Sequence, residues 1–226
     1  MGNIRVAPLA ELALALQAQY RIPNFVETGT FHGETAAWAA QHFARVVTVE
    51  ASPHYYQLAA QRRAALPTVD FRFGHSAPVL RELVPTLDGP ALFWLDAHWS
   101  AGDTYGAGDE CPLLHELAAI VQRNASNFIL IDDAAYFTAP PPPPHDPAQW
   151  PGLVEILGVL GAADAPIYVA IFHDVIVALP RACITTFTAF QRSHRTTPSD
   201  PQPTGLAGLR RFYRRAARLA GSPLRS

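Results

Sequence analysis

Carboxylate side chains stand where the strand-like runs of this chain end. The run Phe25–Glu27 leads into two glycines, Gly29 and Gly33, just before a helical pattern begins. A strand that stops at a glycine turn and feeds a helix presents free backbone N–H groups, which bind the polar or negative parts of a nucleotide-like ligand. Glu50 ends the next run, 21 residues beyond Gly29, and this spacing lets a βαβ unit hold ribose hydroxyls. A glycine turn alone is most often a plain loop, so the prediction of a nucleotide-like ligand depends on the turn and Glu50 together.

Two later apolar runs, Leu92–Leu95 and Phe128–Ile131, end in Asp96 and in the pair Asp132-Asp133. Ionised acids are costly to bury unless a cation or hydrogen-bond donors compensate. Neighbouring parallel strands would bring the three carboxylates to one edge of a sheet, where hard oxygen ligands suit Mg²⁺ or a similar divalent cation. Alternatively, Asp132 or Asp133 caps the following turn.

His98 follows Asp96 by two residues, where a general base would be useful. A neutral imidazole beside a reacting hydroxyl accepts its proton as the oxygen attacks, although most loop histidines have no special role. The glycine-rich loop Ser100–Glu110 is also acidic. Its Asp103, Asp109 and Glu110 could supply further ligands, but we expect the acids of this loop to be solvated.

The segments that must position these residues alternate between strand and helix patterns. Such alternation predicts a parallel sheet with helices on both faces. Near the end, two apolar runs separated by His173-Asp174 predict an antiparallel hairpin. The fold class is therefore α/β, a Rossmann-like doubly wound, mostly parallel seven-stranded sheet that ends in a hairpin. The expected helices are 7–20, 33–43, 53–65, 78–84, 112–122, 150–160 and 206–219, and the expected strands are 25–27, 46–50, 69–73, 91–95, 128–131, 167–172 and 175–179.

Segment 139–150 contains five consecutive prolines, Pro140–Pro144. Such a run cannot form a helix or a central strand, so we expect a stiff polyproline loop. It follows the fifth strand on its carboxyl side, where open α/β sheets bind ligands. The loop is therefore either a wall or lid on the substrate side or a surface spacer.

Charge is distributed unevenly along the 226 residues. Residues 1–180 contain eight arginines against eighteen acids, whereas residues 181–226 contain nine arginines against one acid, and the chain has no lysine. We expect one ligand-binding domain over 1–180 and a basic, helical C-terminal extension over 181–226. The extension either contacts phosphate or acidic surfaces or lies solvated on its own acidic body. Positive charge confined to the extension argues against a nucleic-acid partner.

Composition narrows the cellular setting. No run approaches the roughly 18–20 uncharged residues of a membrane span, and the N-terminus lacks a secretory pattern. The two cysteines, Cys111 and Cys183, fit a reducing compartment. We expect a cytoplasmic protein without a membrane partner, and a homo-oligomer stays open.

With these features in place, residues 20–180 resemble the class I S-adenosylmethionine (SAM)-dependent methyltransferases. In that family the acid and glycines after the first strand hold the methionine part of the cofactor, and the acid ending the second strand holds the ribose. A Gly-Asp-Ser or Gly-Asp-Ala step after the third strand lies near adenine, and this chain has Gly74-His75-Ser76. The resemblance implies that SAM contacts Glu27, Thr28, Gly29, Thr30, Gly33, Glu50, His75, Ser76 and Asp96.

The pattern Glu-x-Gly-x-x-x-Gly, with Phe31 in place of the middle glycine, is similar to the metal-dependent macrocin and mycinamicin sugar O-methyltransferases. That subgroup also has acids at the ends of the fourth and fifth strands and a histidine just after the first of them. The resemblance implies Asp96, Asp132 and Asp133 as metal ligands, His98 as the base, and a hydroxylated small molecule or sugar as the acceptor.

Two other functions remain alternatives. Phe31 and His75 depart from the family pattern, which allows a catalytically inactive, methyltransferase-like binding protein. Asp96-Ala97-His98 also resembles the Asp-Ala-His-x-Asp motif of the arginase group of metallohydrolases, with Ser100 in place of the last acid.

Overall fold

A computed structural model describes residues 3–99, 106, 108–122 and 126–194. Over these residues the strands and helices alternate as the sequence predicts. The elements are α1 (Leu9–Tyr20), β1 (Asn24–Thr28), α2 (Glu34–Ala39), β2 (Arg45–Glu50), α3 (Pro53–Ala60), β3 (Val69–Phe73), α4 (Ser76–Leu83), β4 (Ala91–Leu95), α5 (Leu113–Val121), β5 (Asn127–Ile131), α6 (Ala134–Thr138), α7 (Leu153–Leu160), β6 (Ile167–Phe172), β7 (Val175–Pro180) and α8 (Ile184–Ser193).

The seven strands found in the described residues form one sheet in the order β3-β2-β1-β4-β5-β7-β6. The first five pair in parallel, and β7 pairs antiparallel with both β5 and β6. The chain moves outward from β1 to β3 and then returns to the other side of β1 with β4. This reversal lies between β1 and β4, and open α/β sheets bind ligands beyond the carboxyl ends of the strands at such a point. The predicted fold class is confirmed.

The central strands are buried and mostly apolar because helices cover both faces of the sheet. Successive side chains of a strand point to opposite faces, so Phe25 and Leu92 join one core cluster, whereas Val26 and Phe93 join the other. Residues of α1, α2 and α8 pack in the first cluster, and residues of α4, α5 and α7 pack in the second. The core therefore fixes the strand ends rigidly from both sides.

One short helix, α6, escapes the sequence prediction. The residue before it, Asp133, has a φ of 54°. The hairpin turn caps the helix, because the backbone oxygen of Asp174 accepts from Ala134 N and its side chain accepts from Ala135 N. His173 and Asp174 both have positive φ, as a two-residue type I′ turn requires. Because α6 has only five residues and its cap comes from a distant turn, no local pattern shows it.

Helix boundaries also differ from expectation. α2 ends at Ala39 rather than at residue 43, and the chain then turns so that the ring of Phe43 packs 5.1 Å from that of Phe25. α3 ends at Ala60 and is followed by a short 3-10 turn. Ser52 caps α3, with its hydroxyl accepting from Tyr55 N at 3.5 Å.

The chain divides into a compact unit over Met1–Gln191 and a second unit over Arg192–Ser226. α8 was not predicted, and its Phe187 is fully buried in the core. The helix expected over 206–219 lies outside the described residues, and the role of segment 181–226 stays a prediction. No helix in the described part of the chain combines the length and apolar character needed to cross a membrane.

Candidate functional site

A cleft of about 530 Å³ opens at the carboxyl ends of the central strands. Its volume lies within the range of small-molecule and cofactor sites, about 300–1,000 Å³. Most residues predicted as ligands line it together, although Thr28, Gly33 and Asp133 do not. The predicted residues in the lining are Glu27, Gly29, Thr30, Glu50, His75, Ser76, Asp96, His98 and Asp132.

Gly29 sets the floor of the cleft. Its φ is +85°, and a Cβ built on it would collide with the backbone carbonyl oxygen of Asp96. Gly29 N donates to Val49 O at 2.9 Å, and Asp96 N donates to Thr28 O at 3.1 Å. The turn after β1 thus lies in direct contact with the ends of β2 and β4, and position 29 has room only for a glycine.

Glu27 is buried at the end of β1. Its Oε2 accepts a 2.6 Å hydrogen bond from the Thr48 hydroxyl, which shares a second 2.6 Å bond with the Thr30 hydroxyl. Burial raises the pKa of Glu27 to about 8, against the lowering effect of Thr48, and the charges of Asp96 and Glu50 add to the rise. The carboxyl is therefore largely neutral at pH 7 and would ionise when a cation binds beside it.

Glu50 is held by the backbone of two turns. Its Oε2 accepts from Phe31 N and its Oε1 accepts from Ser52 N, each at 2.8 Å. A carboxylate has about four acceptor positions, so the two oxygens retain capacity for hydroxyl donors. The arrangement fixes a carboxylate at the cleft wall, as the resemblance requires for a ribose contact.

Phe31 occupies the place of the family's middle glycine without breaking the turn. Its φ is 48°, so the backbone adopts the left-handed conformation that glycine favours, at a cost of about 1–2 kcal/mol for an L-residue. Its ring is 45% exposed and lies 4.5 Å from the ring of Tyr55 and 4.0 Å from that of His32. All three residues line the cleft.

His98 lies among the acids at the ends of β4 and β5. Its Nε2 is 3.0 Å from Asp133 Oδ2 and 3.7 Å from Asp96 Oδ1. Burial lowers the pKa of His98, but the hydrogen bond to Asp133 and the charges of Asp96, Asp133 and Asp132 outweigh it and raise the pKa above its ordinary value. His98 and Asp133 therefore form a buried, oriented ion pair when the imidazole is protonated.

The pKa values of the neighbouring aspartates are shifted in opposite directions. Burial raises the pKa of Asp96 to about 7, His98 opposes the rise, and Asp132 and Asp133 add to it. Burial also acts to raise the pKa of Asp133, but its hydrogen bond with His98 and the charge of His98 lower it overall. Asp132 Oδ1 accepts from Asp133 N at 2.8 Å.

These residues do not form a metal-ligand set. Within 3–99, 106, 108–122 and 126–194 there is no group of three His, Cys, Asp or Glu side chains that could hold a metal ion together. The Asp133 carboxylate is engaged by His98 and stands outside the cleft lining. Of the three predicted metal ligands, only Asp96 and Asp132 line the cleft. The geometry therefore does not fit a metal site made of Asp96, Asp132 and Asp133.

Glu110 differs from the solvated acid that the sequence suggests, because it is only 2% exposed. Its Oε2 accepts from Trp150 Nε1 at 2.7 Å and lies 3.1 Å from His145 Nδ1, and its Oε1 accepts from Asp146 N at 3.0 Å. Burial acts to raise the pKa of Glu110, but these bonds lower it overall. We call this group the Glu110 clasp: Glu110 with His145, Asp146 and Trp150.

The clasp joins the proline-rich segment to the neighbourhood of His98. The ring of Trp150 lies 5.3 Å from that of His98, and the Glu110 carbonyl accepts from Trp99 N at 2.7 Å. The segment after Pro144 is thereby held beside the cleft rather than extended into solvent. No residue of 139–150 belongs to the cleft lining, so a wall or lid on the substrate side stays a prediction.

Sequence reasoning missed two features of the site. The N-terminal residues Asn3, Ile4 and Arg5 line the cleft although no motif marks them. Glu116 is buried on α5 near the hydroxyls of Thr28 and Ser76, and burial raises its pKa. An acid on the apolar stripe of a helix is a signal that could have drawn attention to Glu116.

Comparisons with known proteins agree with the fold. No protein-family model and no curated protein matches the chain. An O-methyltransferase from Bacillus cereus in complex with SAH is 20% identical with a TM-score of 0.54, over 78% of this chain and 82% of its own. TomG from Streptomyces achromogenes, an O-methyltransferase in complex with SAM, is 19% identical with a TM-score of 0.52, over 77% and 80%. An SAH-bound methyltransferase from Podospora anserina is 16% identical with a TM-score of 0.53, over 77% and 79%. At these identities the likeness establishes a shared Rossmann-like methyltransferase fold.

The Gly29 turn is tested by substitution. Gly29→Ala should destabilise the protein by about 2–5 kcal/mol, because it adds left-handed strain and a backbone collision. Gly158→Ala, at an open position of α7, should instead stabilise it by up to about 1 kcal/mol. Urea unfolding of both variants measures the difference, and equal stabilities would contradict the close approach to Asp96.

The Glu110 clasp is tested by an isosteric change. Glu110→Gln should cost about 2–3 kcal/mol of unfolding free energy, because charge-assisted hydrogen bonds are lost and the amide donors face other donors. The matched control is Asp109→Asn, an exposed acid one residue earlier, which should stay within about 0.5 kcal/mol of the parent. Similar, small losses in the two variants would show that the clasp contributes little.

Proposed function

We propose that this protein is a SAM-dependent methyltransferase that methylates a hydroxyl group of a small molecule or sugar. The observation that carries the proposal is the cleft at the reversal between β1 and β4. There Glu27, the Gly29 turn and Glu50 come together beside Asp96 and His98. The O-methyltransferase neighbours support the choice of reaction, and the acceptor's chemistry is inferred from the resemblance.

The chain's own residues fit the donor at three points. The backbone at Gly29 is open because a side chain is excluded there, and the neutral, buried Glu27 would ionise beside a cationic ammonium or sulfonium group. Glu50 presents fixed oxygens to ribose hydroxyls. His75 and Ser76 line the part of the cleft assigned to adenine. Bound SAM supplies an electrophilic methyl group.

His98 is the residue that would remove the acceptor's proton. It lines the cleft, and its hydrogen bond to Asp133 fixes the ring's orientation. Because its pKa is raised, the basic form becomes more abundant as the pH rises. Because Nε2 donates to Asp133, Nδ1 is the ring nitrogen that can accept a proton. Positioning of the hydroxyl and proton removal at Nδ1 together make up the chain's part in the reaction.

The resemblance also implies assistance by a divalent metal ion, and of all its implications this one has the least support from the geometry. Only Asp96 and Asp132 of the predicted ligands face the cleft, while Asp133 is paired with His98. We therefore infer that His98, oriented by Asp133, removes the acceptor's proton without the help of a metal ion.

Specific observations argue against the two alternative functions, an inactive binding protein and a metallohydrolase. Phe31, one motive for an inactive binding protein, keeps the glycine-like backbone, so the turn remains suited to a ligand. A metallohydrolase needs clustered metal ligands, and the described residues around Asp96 and His98 do not provide them.

Cys111 and Cys183 are free thiols, and a cytoplasmic location stays a prediction.

Donor binding is tested by calorimetry with SAM and SAH. The parent protein should bind both, and Glu50→Gln should weaken binding roughly 10- to 100-fold, because a charged acceptor for two hydroxyls is lost. Glu82→Gln, an exposed acid on α4 outside the cleft, should bind like the parent. If the parent binds neither ligand, the proposal fails and the binding-protein alternative replaces it.

The role of His98 is tested by the pH dependence of methyl transfer from labelled SAM to an acceptor found among sugars and catechols. The rate should rise with pH through a pKa above 6.5, the ordinary histidine value, because the base must lose its proton first. Asp133→Asn should move this rise to lower pH, since the partner that favours the imidazolium has been removed.

The same assay with excess chelator separates His98 from metal chemistry. Turnover should persist, and His98→Ala should lower it about 100- to 10,000-fold. Turnover that stops with chelator and returns with Mg²⁺ would instead support the metal prediction.

A further inference from the structure

The N-terminal segment Asn3–Arg5 lies over the cleft although it precedes every motif of the site. Ile4 is 1% exposed and anchors the segment in the core cluster, while Asn3 Oδ1 accepts from Arg5 N at 3.0 Å. Arg5 Nη1 lies 2.6 Å from Glu34 Oε2, at the first residue of α2. The segment therefore holds Arg5 at the edge of the turn between β1 and α2.

The cleft is otherwise strongly acidic. Among the described residues that line it, Arg5 is the one arginine, and the chain contains no lysine. The acids in the lining are Glu27, Glu34, Glu50, Asp96, Asp109 and Asp132. Such a surface attracts cationic groups and repels carboxylates, so a ligand carboxylate that lies away from His98 needs Arg5 or a backbone donor beside it.

The Arg5–Glu34 pair is suited to exchange. The two side chains are 35% and 52% exposed, and solvent screens ion pairs of this kind so that they contribute little stability. A guanidinium binds a carboxylate through two parallel hydrogen bonds. A ligand carboxylate in the cleft could therefore replace Glu34 as the partner of Arg5 at small energetic cost.

We propose that Arg5 binds the α-carboxylate of the methyl donor and so makes the cleft selective for donors that retain an intact amino-acid end. This inference rests on the proposed function, because SAM and SAH carry an ammonium and a carboxylate on the same carbon. Glu27 and its acidic neighbours suit the ammonium, whereas Arg5 is the charged group that suits the carboxylate. The N-terminal segment thereby acts as a specificity element outside the glycine turn.

Calorimetry with two ligands tests the role of Arg5. SAH has the carboxylate, whereas 5′-methylthioadenosine keeps the adenosyl thioether but lacks the amino-acid end. Arg5→Met retains the aliphatic stem and should weaken SAH binding roughly 10- to 100-fold, while leaving methylthioadenosine binding unchanged. Arg5→Ala should give the same pattern, which separates charge loss from altered packing of the stem.

Glu34→Gln is the matched control, because it breaks the same ion pair and leaves the guanidinium in place. SAH binding should be equal to or tighter than that of the parent, since Arg5 no longer has a competing partner. A loss of SAH binding in Glu34→Gln as large as in Arg5→Met would show a structural latch and overturn the proposal, as would equal losses for both ligands in Arg5→Met. If the parent fails to bind SAH, the proposed function itself falls, whereas unchanged SAH binding in Arg5→Met overturns this inference alone.

Discussion

The close approach of the Gly29 turn to the backbone of Asp96 is the constraint on which the rest of the site depends. β1 lies in register between β2 and β4, so the loops that leave these strands start side by side. With no side chain at position 29, the turn lies directly against the carbonyl of Asp96. The side chains that follow each strand are thereby brought to the walls of one cleft, with Glu50 and His98 on either side of the turn.

Several acids share this small volume, and the protein stabilises each by a different means. Glu27 is kept largely neutral by burial, Glu50 is bound by two backbone N–H groups, and Asp133 is paired with His98. Each solution compensates for the cost of a buried carboxylate locally. The resulting cleft has more acidic than basic side chains in its lining, which favours a ligand with a cationic group.

Glu110 shows how one buried carboxylate organises a segment with little secondary structure of its own. Within the segment, His145 N donates to Pro142 O at 3.2 Å and Gln149 N donates to Asp146 O at 3.0 Å. These local bonds do not attach the segment to the rest of the chain, so its position comes from contacts elsewhere. Here an indole, a backbone N–H and an imidazole converge on the two oxygens of Glu110. The clasp therefore links the loop after β4 with the segment before α7, and Trp150 places an aromatic ring beside His98.

The sequence by itself determined the fold class, the order of strands and helices along the chain and the residues at the strand ends. The reason is that buried parallel strands are apolar runs, and the polar residues that follow each run mark its end clearly. It also predicted the hairpin, since two polar residues between apolar runs are a local signal. Only the tertiary structure decided that Asp133 turns to His98, that Glu110 is a buried clasp, that α6 is capped by Asp174 and that Arg5 reaches the cleft. Each of these contacts joins residues about thirty or more positions apart, and side-chain orientation at such distances depends on how the elements pack rather than on any local pattern.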